Sequence, residues 1–397
     1  LIWKISNKFE LLKLKFKIMS TVIQSEMSAL HKAWRRYKYF LPVVVLPVIM
    51  YISFNFLGYW SFFAFAFVYG FIPAMEFIFT GTAENFTAEE EAIERKDVFY
   101  DILIYSMVPL QFTILGLYLW TITTKSLEIY EFVGITLAMG LACGALGINV
   151  AHELGHRTKK YEQFMAKLLL MSTSYMHFFI EHNRGHHKNV STPLDPATSR
   201  LNQPLYTFLV KSVVGSWLDA WKLEAYRLKK TKQNFWNPIH NEMLRFQIIQ
   251  FVFTAAIFAI FGWVGVFGFI VSSIIGFTLL EIVNYIEHYG LMRKQLPNGA
   301  YEKVKPHHSW NSGHELGRIF LFELTRHSDH HFNPSRKYQI LRHFENAPQM
   351  PSGYLAMIPL ALVPPLWFKI MNPLVEKHNA TLDDSYTKSL ETVEEVA

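Results

Sequence analysis

The chain has 397 residues and a net charge of +6, and 51% of its residues are hydrophobic, whereas only 18% are charged. A soluble protein of this size usually carries about 25% charged residues, so the composition indicates a membrane protein. The single cysteine, Cys143, excludes a disulfide framework, a zinc ribbon and an iron–sulfur cysteine set, so that any electron carrier must be another protein. In a membrane protein the positive charge indicates positive-inside bias rather than nucleic-acid binding.

The long apolar runs predict an all-α polytopic membrane protein with six transmembrane helices. Each run is close to or above the roughly 18–20 residues that a helix needs to cross a bilayer. The predicted spans are residues 40–57, 59–79, 102–122, 130–150, 246–261 and 264–285. Gly58 and Gly262 are expected to turn the chain between paired spans. Residues 354–371 contain Pro359, Pro364 and Pro365, which favour a broken interfacial segment over a seventh span.

The distribution of basic residues predicts the orientation in the membrane. Six spans place both termini on one side, and the Lys/Arg-rich stretches 1–39, 152–244 and 286–344 all fall on that side. The positive-inside rule then assigns this side to the cytoplasm. We therefore expect a basic cytoplasmic N-terminal segment at residues 1–39 and a histidine-rich cytoplasmic cap. Residues 163–179 are apolar but contain polar positions, and predict a helix that lies against the cap site.

Nine histidines in four short clusters are the strongest functional signal in the chain. Each cluster lies close to a long apolar run, and no packing argument requires so many imidazoles there. The nine residues are His152, His156, His182, His186, His187, His288, His327, His330 and His331. This pattern predicts a site for more than one metal ion at a membrane face.

The spacing of the first two clusters suits metal binding by helices. His152 and His156 are four residues apart, which places both rings on one face of a helix, and His182 and His186 repeat this spacing. His187 is rotated by roughly 100° from its neighbour and could reach a second metal ion.

The later clusters extend the same argument. His327, His330 and His331 offer positions i, i+3 and i+4, which predict one shared helical face, and His288 follows the last span. Glu281 and Asn284 precede His288 on the same helical face, and a carboxylate inside an apolar span is a functional candidate.

Acidic residues near the histidines are expected to accept ring N–H groups and so fix the tautomer and orientation of the ligands. The candidates are Glu153, Glu181, Asp195, Glu281, Glu287 and Asp329. Four of them are adjacent in sequence to a clustered histidine and would point away from it on a helix. They therefore suit this supporting role better than direct ligation.

The ligand set narrows the choice of metal. All-imidazole ligation suits Zn, Cu, Fe or Ni, but zinc would be saturated by four ligands. Nine nitrogens suggest two ions with five or six coordination positions, some of them open. In a reducing cytoplasm and an apolar environment, two non-haem iron ions are the best interpretation. Such a pair performs oxygen chemistry, here on a substrate that resides in the bilayer.

Two other classes of protein compete with this interpretation. The sequence HELGH matches HExxH, the zinc-peptidase signature in which Glu is the general base. A membrane zinc protease needs three ligands for one zinc ion and leaves six clustered histidines unexplained. A bis-histidine haem electron carrier needs ligand pairs that face each other within the bilayer, whereas these histidines lie at the ends of the spans.

The four histidine motifs resemble those of the integral-membrane alkane monooxygenases, the bacterial alkane 1-hydroxylases. They read HELGHR at 152–157, EHNRGHH at 181–187, NYIEHYGL at 284–291 and RHSDHH at 326–331. The third motif separates that family from the membrane fatty-acid desaturases and related hydroxylases, which remain an alternative. The resemblance covers residues 40–370, and the one departure, Arg157 in place of the usual Lys, keeps the charge.

The resemblance implies a complete enzyme system. Two iron ions would be bound by the nine histidines in a membrane-embedded domain, residues 40–371, followed by a polar tail, residues 372–397. The resemblance implies a location in the bacterial inner membrane. A rubredoxin and its NAD(P)H-dependent reductase would supply two electrons. O₂ would be activated, a hydrogen atom abstracted from the terminal methyl group of an n-alkane, and a hydroxyl group returned to give the 1-alkanol.

The resemblance also implies two features of recognition. In the family, a residue on the second helix is thought to limit the length of the substrate tunnel, and the matching position is Val68, before Tyr69, Gly70 and Pro73. A side chain as small as valine predicts that alkanes beyond about twelve carbons are accepted. A basic surface would suit an acidic electron carrier or anionic lipid. It includes Arg184, Lys188, Arg326, Arg336 and Lys337.

Overall fold

The computed structural model describes residues 30–79 and 81–394 and is mainly helical. Most of the predicted basic segment, residues 1–29, lies outside the described residues. Within the described part of the chain, extended pairing is limited to two isolated bridges, Gln295 with Tyr301 and Asn311 with Gln349. The prediction of a helical fold is confirmed.

We number the helices in chain order. They are α1 Leu30–Tyr37, α2 Phe40–Phe56, α3 Gly58–Glu76, α4 Ala88–Glu94, α5 Val98–Thr124, α6 Ile129–Gly155, α7 Lys160–Met171, α8 at residues 178–189, α9 Leu205–Lys230, α10 Glu242–His288, α11 Glu315–Phe320, α12 His327–Phe332, α13 Tyr354–Ala361 and α14 Pro364–Glu394.

Several helices are long and apolar enough to cross a membrane. Among the described residues, α3, α5, α6 and α10 meet this condition singly, and α1 with α2 forms a fifth candidate that is bent by 49°. Large apolar side chains on their outer surfaces are exposed, as at Phe251 and Trp263, each 75% accessible. Such surfaces need an apolar solvent, so a membrane protein is indicated.

Two tight turns have the backbone conformation that their glycines were expected to supply. Gly58 has φ +52° between α2 and α3, and Gly262 has φ +64° and ψ −163° within α10. The 47 residues of α10 would extend about 70 Å as one straight helix, more than twice the hydrocarbon thickness. Gly262 therefore divides α10 into two arms.

Some predicted boundaries differ from the observed ones. The predicted helix at 163–179 ends at Met171, because the chain then turns through Ser174, which has φ +54°. The predicted break near residue 360 lies between Ala361 and Pro364, and α14 continues past residue 371. The fourth predicted span, 130–150, continues to Gly155, so that the first histidine pair follows directly from a membrane helix.

Close packing of α6 against α10 sets the position of the site. A Cβ atom at Gly276 would lie 2.4 Å from Cβ of Cys143, and one at Gly140 would lie 2.3 Å from the Ile275 side chain. These glycines let the two backbones approach where larger residues would separate them. The packing brings the C-terminal ends of α6 and α10, which carry His152 and His288, to the same end of the bundle.

A buried carboxylate joins the start of α2 to the segment before α12. Glu323, 2% exposed, accepts a hydrogen bond from Tyr39 at 2.6 Å and pairs with Arg318 at 2.7 Å, Lys38 at 3.3 Å and Arg326 at 3.5 Å. Burial alone would raise the pKa of Glu323, but the three cations hold it well below its ordinary value. This cluster fixes the turn that leads into the last histidine motif.

We expect Glu323→Gln to lower the free energy of unfolding by about 3 kcal/mol, because it removes the carboxylate that three buried cations share and leaves, among the described residues, only Glu315 beside Lys38 and Arg318. The measurement is thermal or denaturant unfolding in detergent, with the exposed Glu345→Gln as the matched control. The pKa of Glu323 is lower in the folded than in the unfolded protein. The stabilisation by its carboxylate is therefore present above the unfolded pKa of about 4.3 and is lost as the pH falls below it. A difference between wild type and Glu323→Gln that persists unchanged well below that pH would contradict this assignment.

Candidate metal centre

The nine predicted histidines converge into two groups at the end of the helical bundle. Within each group, one ring nitrogen from every residue lies within 4.8 Å of all the others. The first group contains His152, His156, His182, His187 and His330, and the second contains His186, His288, His327 and His331. Sequence motifs that are far apart along the chain therefore share each group.

The second histidine motif supplies both groups because its helix is locally widened. Residues His182–His186 form a π-helical turn, in which the backbone bonds from i to i+5. Nε2 of His182 consequently lies 3.0 Å from Nε2 of His187, whereas Nε2 of His186 lies 3.3 Å from Nε2 of His331. The rings of His182 and His186 are stacked 5.1 Å apart but fall in different groups, so the prediction that this pair binds one metal ion is wrong.

The last histidine motif, on α12, also contributes to both groups. Nε2 of His330 lies 3.1 Å from Nε2 of His187 in the first group, and Nε2 of His327 lies 3.2 Å from Nε2 of His288 in the second. The ring centroids of His327, His330 and His331 lie within 5.6 Å of one another, as expected for one helical face, but the rings divide between the two groups. The short helix α12 lies between the two groups and supplies rings to both.

The donor atoms fit metal ligation. Two imidazole nitrogens about 2.1 Å from one ion and 90° apart are separated by about 3.0 Å, close to the observed Nε2 separations. Burial lowers the pKa of His182, His187, His327 and His330 well below the ordinary value, which keeps their rings neutral. A neutral ring has the free lone pair that a metal requires. The two groups form a candidate metal centre.

Two of the six predicted carboxylates lie beside ligand rings. Nδ1 of His186 donates to Oδ2 of Asp195 at 2.9 Å, and Asp195 also accepts from the Thr198 hydroxyl and the Ala197 amide. Burial alone would raise the pKa of Asp195, but His186 and the Thr198 hydroxyl lower it. Glu287 lies 3.2 Å from Nδ1 of His327 without the angle of a hydrogen bond.

The other four carboxylates are paired elsewhere or unpaired. Glu153 accepts from Arg157 at 2.9 Å, and Asp329 accepts from the Arg342 amide at 2.7 Å. Burial raises the pKa of Glu181, and its Oε1 has no partner among the described residues.

The fourth, Glu281, accepts from the hydroxyls of Tyr175 and Ser212 and from the Asn284 amide. Its polar network joins α9 to α10 behind the second histidine motif. No hydrogen bond joins Glu153, Glu181, Glu281 or Asp329 to a clustered imidazole in the described chain.

A third histidine group, Glu302 with His307 and His308, does not fit a metal ion. Nδ1 of His308 accepts the backbone N–H of Lys305 at 3.0 Å, so Nε2 carries the proton of the neutral ring. Nε2 lies 3.4 Å from Glu302, and the ring has no lone pair left for a metal.

The predicted basic surface is largely neutralised within the fold. Arg326 is buried, Arg184 pairs with Glu224 and Glu242, and Arg336 and Lys337 pair with acids on α4 and α5. The charges of these four residues bind the cap together, whereas Lys188 is exposed and forms no ion pair with another described residue.

An apolar cavity lies beside α3, and its wall contains none of the nine histidines. Val68, 8% exposed, lines this outer cavity together with Met50, Ile72 and Leu355. A smaller inner cavity lies against His152, His182 and His327. The two cavities share four wall residues, namely Asn149, Leu280, Val283 and Leu324.

Sequence reasoning missed Asn149, although it lies only three residues before His152. A polar side chain at the end of an otherwise apolar span was the available signal. Its position on the wall common to both cavities follows from the packing of α6 against α10.

A family model described as fatty acid desaturase matches residues 130–361, which include all nine histidines. The chain therefore belongs to this class of histidine-rich helical membrane proteins. Among curated proteins, it is 42% identical to alkane 1-monooxygenase 2 of Pseudomonas aeruginosa, over 81% of this chain and 85% of the relative. It is 41% identical to alkane 1-monooxygenase 1 of Alcanivorax borkumensis, over 76% and 74%.

These similarities establish that the chain belongs to the alkane 1-monooxygenase family of oxidoreductases. A more distant relative, 31% identical over 84% of this chain and 86% of its own length, is the xylene/toluene monooxygenase hydroxylase component of Pseudomonas putida.

We expect Asp195→Ala to weaken metal binding by the second histidine group by about 10–100-fold, because His186 loses the acceptor that fixes its ring. The measurement is metal retention during titration with a chelator. Asp219→Asn is the control, since Asp219 is an acid in the same region that bonds to no clustered ring. Equal metal retention in both variants would show that Asp195 does not support the site.

Proposed function

We propose that this protein hydroxylates the terminal methyl group of medium- to long-chain n-alkanes to 1-alkanols with O₂ and two electrons. The observation that carries the proposal is the pair of adjacent histidine groups, whose small cavity shares four wall residues with an apolar cavity. Family membership supports the choice of alkane as substrate. One oxygen atom enters a C–H bond of the substrate, and the other leaves as water with two electrons and two protons.

The proposed cofactor is a pair of iron ions, one for each histidine group. Five nitrogens in the first group and four in the second leave positions open at six-coordinate iron. When bound, the iron pair supplies the activation of O₂ and the oxidising power that breaks a terminal C–H bond.

The residues of the chain supply position and exclusion of water. Val68, Ile72, Leu146 and Leu280 line an apolar passage in which an extended hydrocarbon would lie with one methyl group toward His152 and His327. Removing the hydrocarbon from water favours this pose by about 25 cal/mol per Å² of buried apolar area. The same apolar walls keep water from the reacting methyl group.

The proposed arrangement in the membrane has six spans, with the histidine cap and both termini in the cytoplasm. The bent pair α1–α2, the helices α3, α5 and α6, and the two arms of α10 on either side of Gly262 would supply these spans. The proposed location is the bacterial inner membrane, which the positive-inside pattern supports.

The proposed electron donor is a rubredoxin served by an NAD(P)H-dependent reductase. Since Cys143 is the single cysteine, the chain has no cysteine set of its own with which to carry an electron-transfer centre. Because most of the basic residues near the cap are already paired, docking would depend on shape and on a few remaining charges.

The first test is metal analysis of the purified protein with its optical spectrum. The expected result is about two iron ions per chain and no haem absorbance, because the two groups provide nine imidazole nitrogens. One zinc ion per chain without iron would contradict the di-iron proposal and favour the HExxH hydrolase.

The second part of this test is turnover with rubredoxin, reductase and O₂. We expect an n-alkane to be converted to the 1-alkanol. p-Xylene is assayed as the comparison substrate. An unsaturated product from a fatty acyl chain, with no 1-alkanol from an alkane, would instead support the desaturase alternative.

We expect Val68→Trp to shift the preferred substrate toward shorter alkanes, because the indole would fill the outer cavity. The measurement is the ratio of kcat/KM for alkanes of increasing length. Val133→Trp makes the same exchange at a position on α6 that is 45% exposed, and controls for general effects of the substitution. If both variants keep the wild-type chain-length profile, Val68 does not limit the tunnel.

A further inference from the structure

Two asparagines stand where the apolar passage meets the metal centre. Asn149 and Asn284 are 6% and 5% exposed, and both line the inner cavity beside His152, His182 and His327. Apart from these histidines and Glu287, the rest of the inner wall is apolar, with Phe178, Leu280, Val283 and Leu324. An alkane would gain no hydrogen bond from amide groups at this point, whereas a polar ligand could.

The hydrogen bonds of both side chains fix the direction of the amides. Nδ2 of Asn149 donates to the carbonyl of Leu321 at 3.0 Å, and Nδ2 of Asn284 donates to Oε2 of Glu281 at 3.2 Å. Among the described residues, no donor bonds to Oδ1 of either asparagine. Neither oxygen is among the solvent-inaccessible unpaired atoms, so both acceptors are open to the cavity.

We infer that Asn149 and Asn284 form a hydroxyl-binding subsite for the terminal O–H group of a 1-alkanol at the inner end of the passage. This inference rests on the proposed function, since it concerns the product of that reaction. The subsite would accept a hydrogen bond from the alkanol O–H while the hydrocarbon chain occupies the same apolar walls as the alkane did. A buried acceptor without a donor is unfavourable, and the alkanol O–H would satisfy one of the two asparagine oxygens that the alkane leaves unpaired.

The subsite would form a hydrogen bond with the product, the 1-alkanol, that the substrate alkane cannot form. An alkane and a 1-alkanol of equal length bury nearly the same apolar area. The difference between their binding affinities therefore measures the hydrogen bond made by the terminal O–H group. One net hydrogen bond changes an equilibrium constant by about 2- to 10-fold. The wild-type protein should accordingly bind the 1-alkanol more tightly than a ligand of the same size without an O–H donor.

The test measures ligand binding to the purified, metal-loaded protein in nanodiscs, without reductant and so without turnover. The ligands are n-dodecane, 1-dodecanol and 1-methoxyundecane, whose ether oxygen cannot donate a hydrogen bond. Affinities follow from the increase in unfolding temperature with ligand concentration, corrected for partition into lipid. For the wild type, we expect the affinity for 1-dodecanol to exceed the affinity for 1-methoxyundecane by about 2- to 10-fold.

Asn149→Leu and Asn284→Leu should each weaken this preference for the alkanol, because one of the two acceptors is lost, and should leave the affinity for dodecane unchanged or higher. Val283→Ala is the matched control, because Val283 lines both cavities but offers no acceptor. It should change the affinities for all three ligands by the same factor. If one leucine variant does not fold, the other still decides, because each removes one of the two acceptors.

Equal affinity of the wild type for alkanol and ether, or a leucine variant that keeps the full wild-type preference, would overturn the inference. If the alkanol preference is found but no alkane is hydroxylated under reducing conditions, the proposed function fails while the subsite stands. If none of the three ligands binds the wild type, both the hydroxyl-binding subsite and the proposed function are contradicted.

Discussion

Nine imidazole rings, seven of them buried and two half-buried, must be held with their ring nitrogens facing one another, and much of the fold serves this one requirement. An imidazole that has no water around it loses its proton readily, which leaves the lone pair free for a metal. The cost is that polar atoms are taken out of water in a place where few donors are available. A bound metal would compensate for that cost, because it replaces the lost hydrogen bonds of every ring at once.

The elements that satisfy this requirement come from widely separated parts of the chain. Small residues on α6 and α10 let these helices approach, and so align His152 with His288 at one end of the bundle. The π-helical turn at His182–His186 and the short helix α12 then distribute their histidines between the two groups. Glu323, with its three buried cations, fixes the turn before α12. An electrostatic cluster outside the site therefore determines where α12 begins, at His327.

The cavity system connects the metal centre to the apolar interior of the bundle. An outer apolar chamber beside α3 shares a wall with a small inner chamber at the histidines, and this shared wall includes Asn149. A hydrocarbon that enters from the bilayer would remain in apolar surroundings until its end meets the ligand rings. The chemistry we propose depends on this change of surroundings. The outer chamber is apolar, the inner chamber is polar, and only the width of one side chain lies between them.

The sequence alone determined the class of fold and the identity of the clustered histidines. The lengths of the apolar runs, the glycine turns at Gly58 and Gly262 and the unusual number of imidazoles near membrane helices are local properties, which a chain displays before it folds. Which histidines share a group depended on the tertiary structure. An α-helical period assigned His182 and His186 to one metal ion, whereas the π-helical turn places His182 with His187 instead. The partners of Glu153 and Asp329 and the cavity wall at Asn149 likewise required the packed structure, because burial and contact depend on residues far apart in the sequence.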